Sequence, residues 1–487
     1  MATDSINASP TKSFFVDMLT RDIDLKDAIL DLLDNCIDGI QRTNRAAKPS
    51  ETPYAGFWAE ITFSETDFAI ADNCGGIPLD VAQRYAFRMG KPRNISDDDD
   101  IATIGTYGIG MKRAIFKMGQ SAQVISQTEE ASFAVSIQPD WLTSDSSWDL
   151  PLESVDDPLE REGTVVEVKQ LRREVASQFA TKAFQTALVG DIETLYSYIM
   201  AKGFEIVVNG QVVKPKQVSL QWEGLKKLKS QGSEAIAPYL YEGYEQDVKV
   251  TVAVGFHRDL PSYEEVDDET AGKKRKSEKA GWTIVCNDRV VLANDKSILT
   301  GWGEAGVPKY HPQYIAISGV VKFWSTDARK LPITTTKRGI DTSSELYLHV
   351  KERMREGMRL FTTYTSKWKR VPKEEKKKTQ RTKTESPTSM FDIVKKVDDE
   401  VSAKKGGKSL WIEVKDKKMT VEQRYIPNLP SPPTADQSKR ISFNKPTEEI
   451  KLIGEFLFDD PDCPPSAVGE ACFEEILSQA QEDESDG

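Results

Sequence analysis

One helix constrains this chain more than any other feature. In residues 22–42, DIDLKDAILDLLDNCIDGIQR, the apolar positions Ile23, Leu25, Ile29, Leu32, Leu33, Cys36, Ile37 and Ile40 include three- and four-residue spacings. That periodicity predicts an amphipathic helix. Asp31, Asn35 and Asp38 stand at i, i+4 and i+7, so they share one face. A surface helix keeps such groups in water. Here they interrupt or adjoin the Leu/Ile stripe, which brings some of them to a cavity. An Asp and an Asn on that face can position a water and complete an oxygen-rich magnesium shell. Taken alone, the pattern also fits a solvated face.

Three further segments carry related chemistry. Ala71–Pro78, ADNCGGIP, breaks a strand. Asp72 at a strand end can accept the exocyclic amine of adenine, and the glycines through Gly76, next to Ile77, let backbone approach a base. An ordinary turn would carry the same residues. The segment Gly105, Thr106, Tyr107, Gly108, Ile109, Gly110, Met111, Lys112 leads into a predicted helix. Its glycines can expose amides to phosphate oxygens at the positive helix end, where Lys112 adds a point charge. Its spacing is neither the dinucleotide fingerprint nor the Walker loop. Gly163-Thr164 opens an alternating strand, and Thr164 can bond the adenine-binding carboxylate or a bridging water.

The order and spacing of all four resemble the GHKL ATP-binding fold of gyrase-type topoisomerases, MutL repair proteins, ninety-kilodalton heat-shock chaperones, histidine kinases and MORC ATPases. The similarity is closest to the MORC-like and chaperone-like branch, and it spans roughly residues 15–170. E-x-x-x-N appears as Asp31-Leu-Leu-Asp34-Asn35, and D-x-G-x-G as Asp72-Asn-Cys74-Gly-Gly76, with Cys at the first Gly. The resemblance implies Asn35 as magnesium ligand, Asp72 as adenine reader, and Gly76 with the loop at 105–110 and Lys112 around the phosphates. Asp31 takes the place of the water-activating glutamate. Being one methylene shorter, it implies slow hydrolysis, or a water held by both Asp31 and Asp34.

The implied fold is α+β: a GHKL (Bergerat) α/β sandwich over 1–174, then a ribosomal-protein-like βαβ transducer domain over 175–365. A basic and polar linker over 366–440 and a small, partly disordered C-terminal element with an acidic tail over 441–487 complete the reading. Within the second domain, 262–280 (SYEEVDDETAGKKRKSEKA) reads as a flexible hairpin insertion without a core pattern. FEIVVNGQVVKP reads as a hairpin turning at Asn-Gly. Leu331–Ile340 resembles the segment that sends a lysine to the terminal phosphate, which makes Lys337 the candidate, with Lys296, Lys330 and Arg338 as rivals. Such a lysine stabilises charge on a transferred phosphoryl group.

Composition narrows the chemistry. Five cysteines without C-x-x-C spacing and only three histidines, none before residue 257, argue against a zinc site and against phosphotransfer to an internal histidine. The net charge of −12 argues against a general nucleic-acid coat, though not against the local basic stretch Lys367–Lys383 meeting duplex DNA. No apolar run reaches the ~20 residues of a membrane span, and the opening residues do not resemble a signal peptide. The expectation is a cytoplasmic Mg2+- and ATP-dependent ATPase that forms an ATP-driven homodimer. By resemblance it acts as a DNA clamp in a bacterial defence or restriction-like system with an effector protein. The alternative is a non-hydrolysing, nucleotide-gated binding module or chaperone-like scaffold.

Overall fold

The computed structural model describes residues 11–45, 50–88, 103–105, 108–144, 147–155, 158–217, 219–221, 236–272, 277–368, 388–389, 412–413, 422–429 and 443–485. The chain divides into two units, 1–431 and 432–487. The first helix, α1 (Lys12–Arg21), starts where the Thr11 hydroxyl accepts the Phe14 amide at 3.3 Å. Helix α2 (Leu25–Thr43) carries Asp27 in its first turn and Arg42 in its last, charges that suit the helix dipole. From Ala28 to Ile40 every residue of α2 is buried except Asn35.

The first sheet is built from β1 (Trp58–Phe63), β2 (Asp67–Asp72), β3 (Gly119–Gln127), β4 (Ser132–Ile137), β5 (Leu152–Glu153), β6 (Gly163–Leu171), β7 (Glu205–Val208) and β8 (Gln211–Val212). Its order is β5-β4-β3-β6-β2-β1-β7-β8. All neighbours are antiparallel except β1 and β7. Helix α3 (Gly110–Met118) packs on α2. Both helices bury residues in one apolar cluster with the sheet, Ile29, Leu33, Ile37 and Ile115 joining Ile61, Ile70, Val124 and Val166. The result is a helical layer on a sheet, a mixed α+β architecture.

This sheet extends past the expected boundary at residue 174. β7 lies beside β1 in parallel register, Trp58 opposite Glu205 and Ile61 opposite Val208. The chain reaches it through α4 (Lys182–Leu195) and a short following helix, the crossover that a parallel pair requires. Asn209 and Gly210 both have positive φ in the turn to β8 (45° and 75°), as a type I′ hairpin demands.

The second sheet has the order β12-β11-β13-β10-β9-β15-β14. Its strands are β9 (Tyr239–Glu245), β10 (Val248–Phe256), β11 (Gly281–Cys286), β12 (Arg289–Asp295), β13 (Ile317–Trp324), β14 (Ile412–Glu413) and β15 (Glu422–Tyr425). Only β11 and β13 run parallel. Helix α5 (Glu345–Trp368) lies on this sheet and buries Leu346, Val350, Met354, Met358, Phe361 and Trp368, a spacing of three, four and seven.

Two further expectations differ from the structure. Residues 262–280 contain a helix, Tyr263–Thr270, begun by Ser262, whose hydroxyl accepts the Glu265 amide at 3.2 Å. Ser-x-x-Glu is a helix-start signature, and Arg258 pairs with Glu265 at 2.7 Å. In the second unit, α6 (Thr447–Phe458) and α7 (Pro465–Ser485) are helical, so the acidic end forms helix as far as Ser485. Among the described residues no helix is long and apolar enough to cross a membrane.

Candidate functional site

A cavity opens between α2, the end of β2, the start of α3 and the loop that carries Lys337. At one end lies Asp72, the last residue of β2, paired across the sheet with Thr164 of β6. One carboxylate oxygen accepts the Cys74 amide at 2.8 Å, and the other accepts the Cys36 thiol at 3.4 Å. Burial raises the Asp72 pKa, and the amides of Cys74 and Thr164 with the Cys36 thiol pull it back. These donors aim an acceptor into the cavity, the polarity an exocyclic amine needs.

The loop after Asp72 is fixed from below by β3. The Ile77 amide donates to the Ser126 hydroxyl at 2.7 Å, which donates to the Ile77 carbonyl at 3.2 Å. Gly76 has φ 68°, and a Cβ there would lie 2.2 Å from the Gln127 carbonyl oxygen. Only glycine fits. Gly75 and Gly76 take the left-handed conformations of this loop. Cys74 is buried with its thiol 3.8 Å from the Trp58 carbonyl, so a side chain at the usual glycine position is accommodated.

Asp38 holds the start of the glycine loop. Its carboxylate accepts the Ile104 amide at 2.6 Å and the Gly105 amide at 2.8 Å. Burial pushes its pKa up to about 6, against the pull of Lys337 and these amides. A Cβ on Gly105 would meet the Asp38 carboxylate at 2.6 Å. Gly108, Ile109, Gly110, Met111 and Lys112 line the cavity. The Lys112 ammonium donates to the carbonyls of Ala86 (2.7 Å) and Gly108, and burial lowers its pKa to about 8. It thus ties together backbone from both sides of residues 89–107. Thr106 and Tyr107 lie outside the described residues.

Two further acidic positions of α2 share Lys337 and differ in their other partners. Asp31 lines the cavity, with one carboxylate oxygen paired to the Arg113 guanidinium and the other 3.2 Å from the Lys337 ammonium. Asp34 faces away from the cavity. It accepts the Tyr196 hydroxyl at 2.7 Å, Arg289 at 2.9 Å and Lys337 at 2.9 Å. Burial alone would raise its pKa, yet Lys337, Arg289 and Tyr196 together hold it down at about 2. This is a fully satisfied ion group, with no free oxygen for a water. Asn35, the exposed residue of the stretch, looks into the cavity.

Lys337, which lines the cavity, therefore bridges Asp31 and Asp34. Its backbone has φ 56°, a left-handed conformation that a non-glycine residue rarely adopts. Burial disfavours its charge, but Asp34, Asp31 and Asp38 more than restore it and raise its pKa. The rival cations have other partners. Lys330 pairs with Asp247 at 2.8 Å, Lys296 lies 5.5 Å from the Tyr310 ring centre, and Arg338 pairs with Asp27 and Asp191. Sequence reasoning did not find Arg113, Arg289 or Tyr196. Arg113 follows the glycine motif directly, so its position at the start of α3 was the available signal; Arg289 and Tyr196 carried none.

Among the described residues, no group of three or more His, Cys, Asp or Glu side chains could hold a metal ion. A magnesium ion commonly takes one or two protein ligands with phosphate and water oxygens, and the free, cavity-facing amide of Asn35 suits that role. Trp368 is buried beside Tyr364 with ring centres 5.6 Å apart, so it offers no stacking surface. Residues 369–383 of the basic stretch lie outside the described residues.

Residues 23–165 match the family described as histidine kinase-, DNA gyrase B-, and HSP90-like ATPase, so this part of the chain is similar to GHKL-type ATPase domains. No curated protein matches the sequence.

Proposed function

We propose that this chain binds Mg-ATP in the cavity between Asp72 and Lys337 and hydrolyses it slowly. The observation that carries the reading is the contact of Lys337 with Asp31. A cation from the segment following β13 reaches the acid that stands where the domain's base is expected. Asp72 receives the adenine amine, Asn35 the metal, and the amides of Gly108 to Gly110 face the phosphates. A magnesium ion held there would supply charge neutralisation to the phosphates.

In the hydrolytic step Asp31 takes a proton from water as the water oxygen bonds to the terminal phosphorus. The bond from that phosphorus to the bridging oxygen breaks, and ADP leaves with the electron pair. Lys337 stabilises the charge on the transferred group. Asp34, held by Tyr196 and Arg289, keeps the lysine within reach and does not itself hold the water. A homodimer, an effector protein, duplex DNA at Lys367–Lys383 and a MORC-like defence role extend this reading on resemblance alone.

One observation favours a second reading, a nucleotide-gated binding module without turnover: both oxygens of Asp31 have cationic partners. Steady-state ATPase assays with and without duplex DNA separate the two. Turnover in wild type that falls about 100-fold or more in Asp31→Ala and Lys337→Ala supports hydrolysis. Wild type that binds Mg-ATP without turnover supports the module. Asn35→Ala and Asp72→Ala should lose nucleotide binding, and unchanged binding in both would remove the site assignment.

A further inference from the structure

We propose that Arg113 is a positioning residue of the hydrolytic centre, holding one oxygen of Asp31 so that the other is free to act once Lys337 leaves it. The inference rests on the hydrolytic reading. Arg113 sits in the first turns of α3, the helix that opens at the glycine loop, and it lines the cavity beside Asp31. Its Nη2 pairs with Asp31, its side chain is only 12% exposed, and its buried Nε has no hydrogen-bond partner. Asp31 also packs against Gly110 of the same helix, where a Cβ would lie 3.3 Å from the Asp31 Cβ.

The two partners of Asp31 differ in kind. Arg113 comes from the same layer of the ATPase domain, one helix away. Lys337 comes from the loop after β13, in left-handed backbone, and is shared with Asp34. A terminal phosphate carries the charge to draw Lys337 from Asp31, because Asp34 keeps Arg289 and Tyr196 and is not left bare. That exchange frees the oxygen nearest the lysine while Arg113 retains the other. A carboxylate one methylene shorter than glutamate needs such a hold, since misplacing a reacting group by ~1 Å can cost on the order of 100-fold.

The test is steady-state kinetics and Mg-ATP affinity of wild type, Arg113→Ala, Arg113→Gln and Arg113→Lys, each checked by a thermal melt. The expected result is a kcat lowered about 10- to 100-fold in Ala and Gln, with KM and affinity within about threefold, and partial recovery in Lys. Weakened Mg-ATP affinity at unchanged kcat would overturn the proposal and make Arg113 a phosphate contact. Equal loss in all three variants with lowered melting would overturn it in favour of a structural role. Wild type without turnover removes the hydrolytic reading and this inference with it. Wild-type turnover that Arg113→Ala leaves intact removes the inference alone.

Discussion

Asp34 accepts hydrogen bonds from three separate segments, through Tyr196, Arg289 and Lys337, and is almost wholly buried. Arg289 also stacks over the Tyr196 ring, its guanidinium carbon 4.4 Å from the centre. Removing the one anion leaves Lys337 to Asp31 and Asp38 and takes from buried Arg289 the carboxylate it pairs with. Breaking a buried pair from one side commonly costs about 3–5 kcal/mol. Asp34→Ala should therefore lower the urea-unfolding free energy by about that amount, and Asp34→Asn by less, because an amide oxygen still accepts Tyr196. A loss below ~1 kcal/mol in Asp34→Ala would show that the group is not a structural joint. The triad could not be read from the sequence. Asp34 stood inside a motif, but its partners lie 162, 255 and 303 residues away. Each of those reads locally as a helix-end tyrosine, a strand arginine or a loop lysine.

The β11–β12 hairpin does at the level of an element what Asp34 does for a residue. Its two turn residues, Asn287 and Asp288, have φ 46° and 66°, and both side chains are buried. Asn287 donates to the Thr103 and Ser325 carbonyls at 2.9 Å each and accepts the Ser325 amide at 3.0 Å. Thr103 lies two residues before Gly105, which lines the cavity, so the hairpin tip holds the chain just ahead of that wall. Asp288 accepts Tyr54 at 3.1 Å and pairs with Lys202 and Lys322. Asn287→Gly preserves the left-handed backbone and deletes only the side-chain bonds. Urea melts should show a loss of about 1–3 kcal/mol for it, and no loss would mean that the tip merely rests on the loop. Turn chemistry also explains what was legible. The Asn209-Gly210 turn announces its hairpin, whereas Gln246-Asp247 makes the same positive-φ turn (51° and 65°) without glycine, so β9 went unread. The motif segments that line the cavity were readable because each has fixed residue types at close spacing. The sheet's extension to β7 was not, because pairing with β1 is a tertiary fact over more than 140 residues.

Across the whole molecule, buried titratable groups pull stability in opposite directions with pH. Asp34 has a folded pKa of about 2, below its ordinary 3.8, so its contribution is present above about pH 4 and lost as pH falls toward 2. Asp288 is lowered in the same sense, since Lys322 and Lys202 outweigh its burial. Asp38 is the reverse: burial raises its pKa to about 6, so its contribution is complete below 3.8 and disappears as pH rises through 6. His257 opposes it from the second sheet. Burial depresses its pKa from 6.5 to about 4, although its ring meets the Ile315 carbonyl at 2.8 Å. Its contribution is present above 6.5 and lost as pH falls through 4. Lys112, lowered to about 8, and Lys337, raised, keep their charge throughout this range and add no slope. The Asp38 and His257 contributions, each on the order of 3 kcal/mol, therefore oppose one another between pH 4 and 6.5. Wild type should show a nearly flat urea-unfolding free energy across that window and a steep loss below pH 4. In His257→Gln the raised acids Asp38 and Asp72 are left unopposed, so stability should fall as pH rises from 4 to 6.5. In Asp38→Asn the large His257 shift outweighs that of Asp72, and stability should rise over the same interval. Parallel pH profiles for the two variants would refute the opposition. Opposite slopes would establish that the cavity wall and the second sheet titrate against each other.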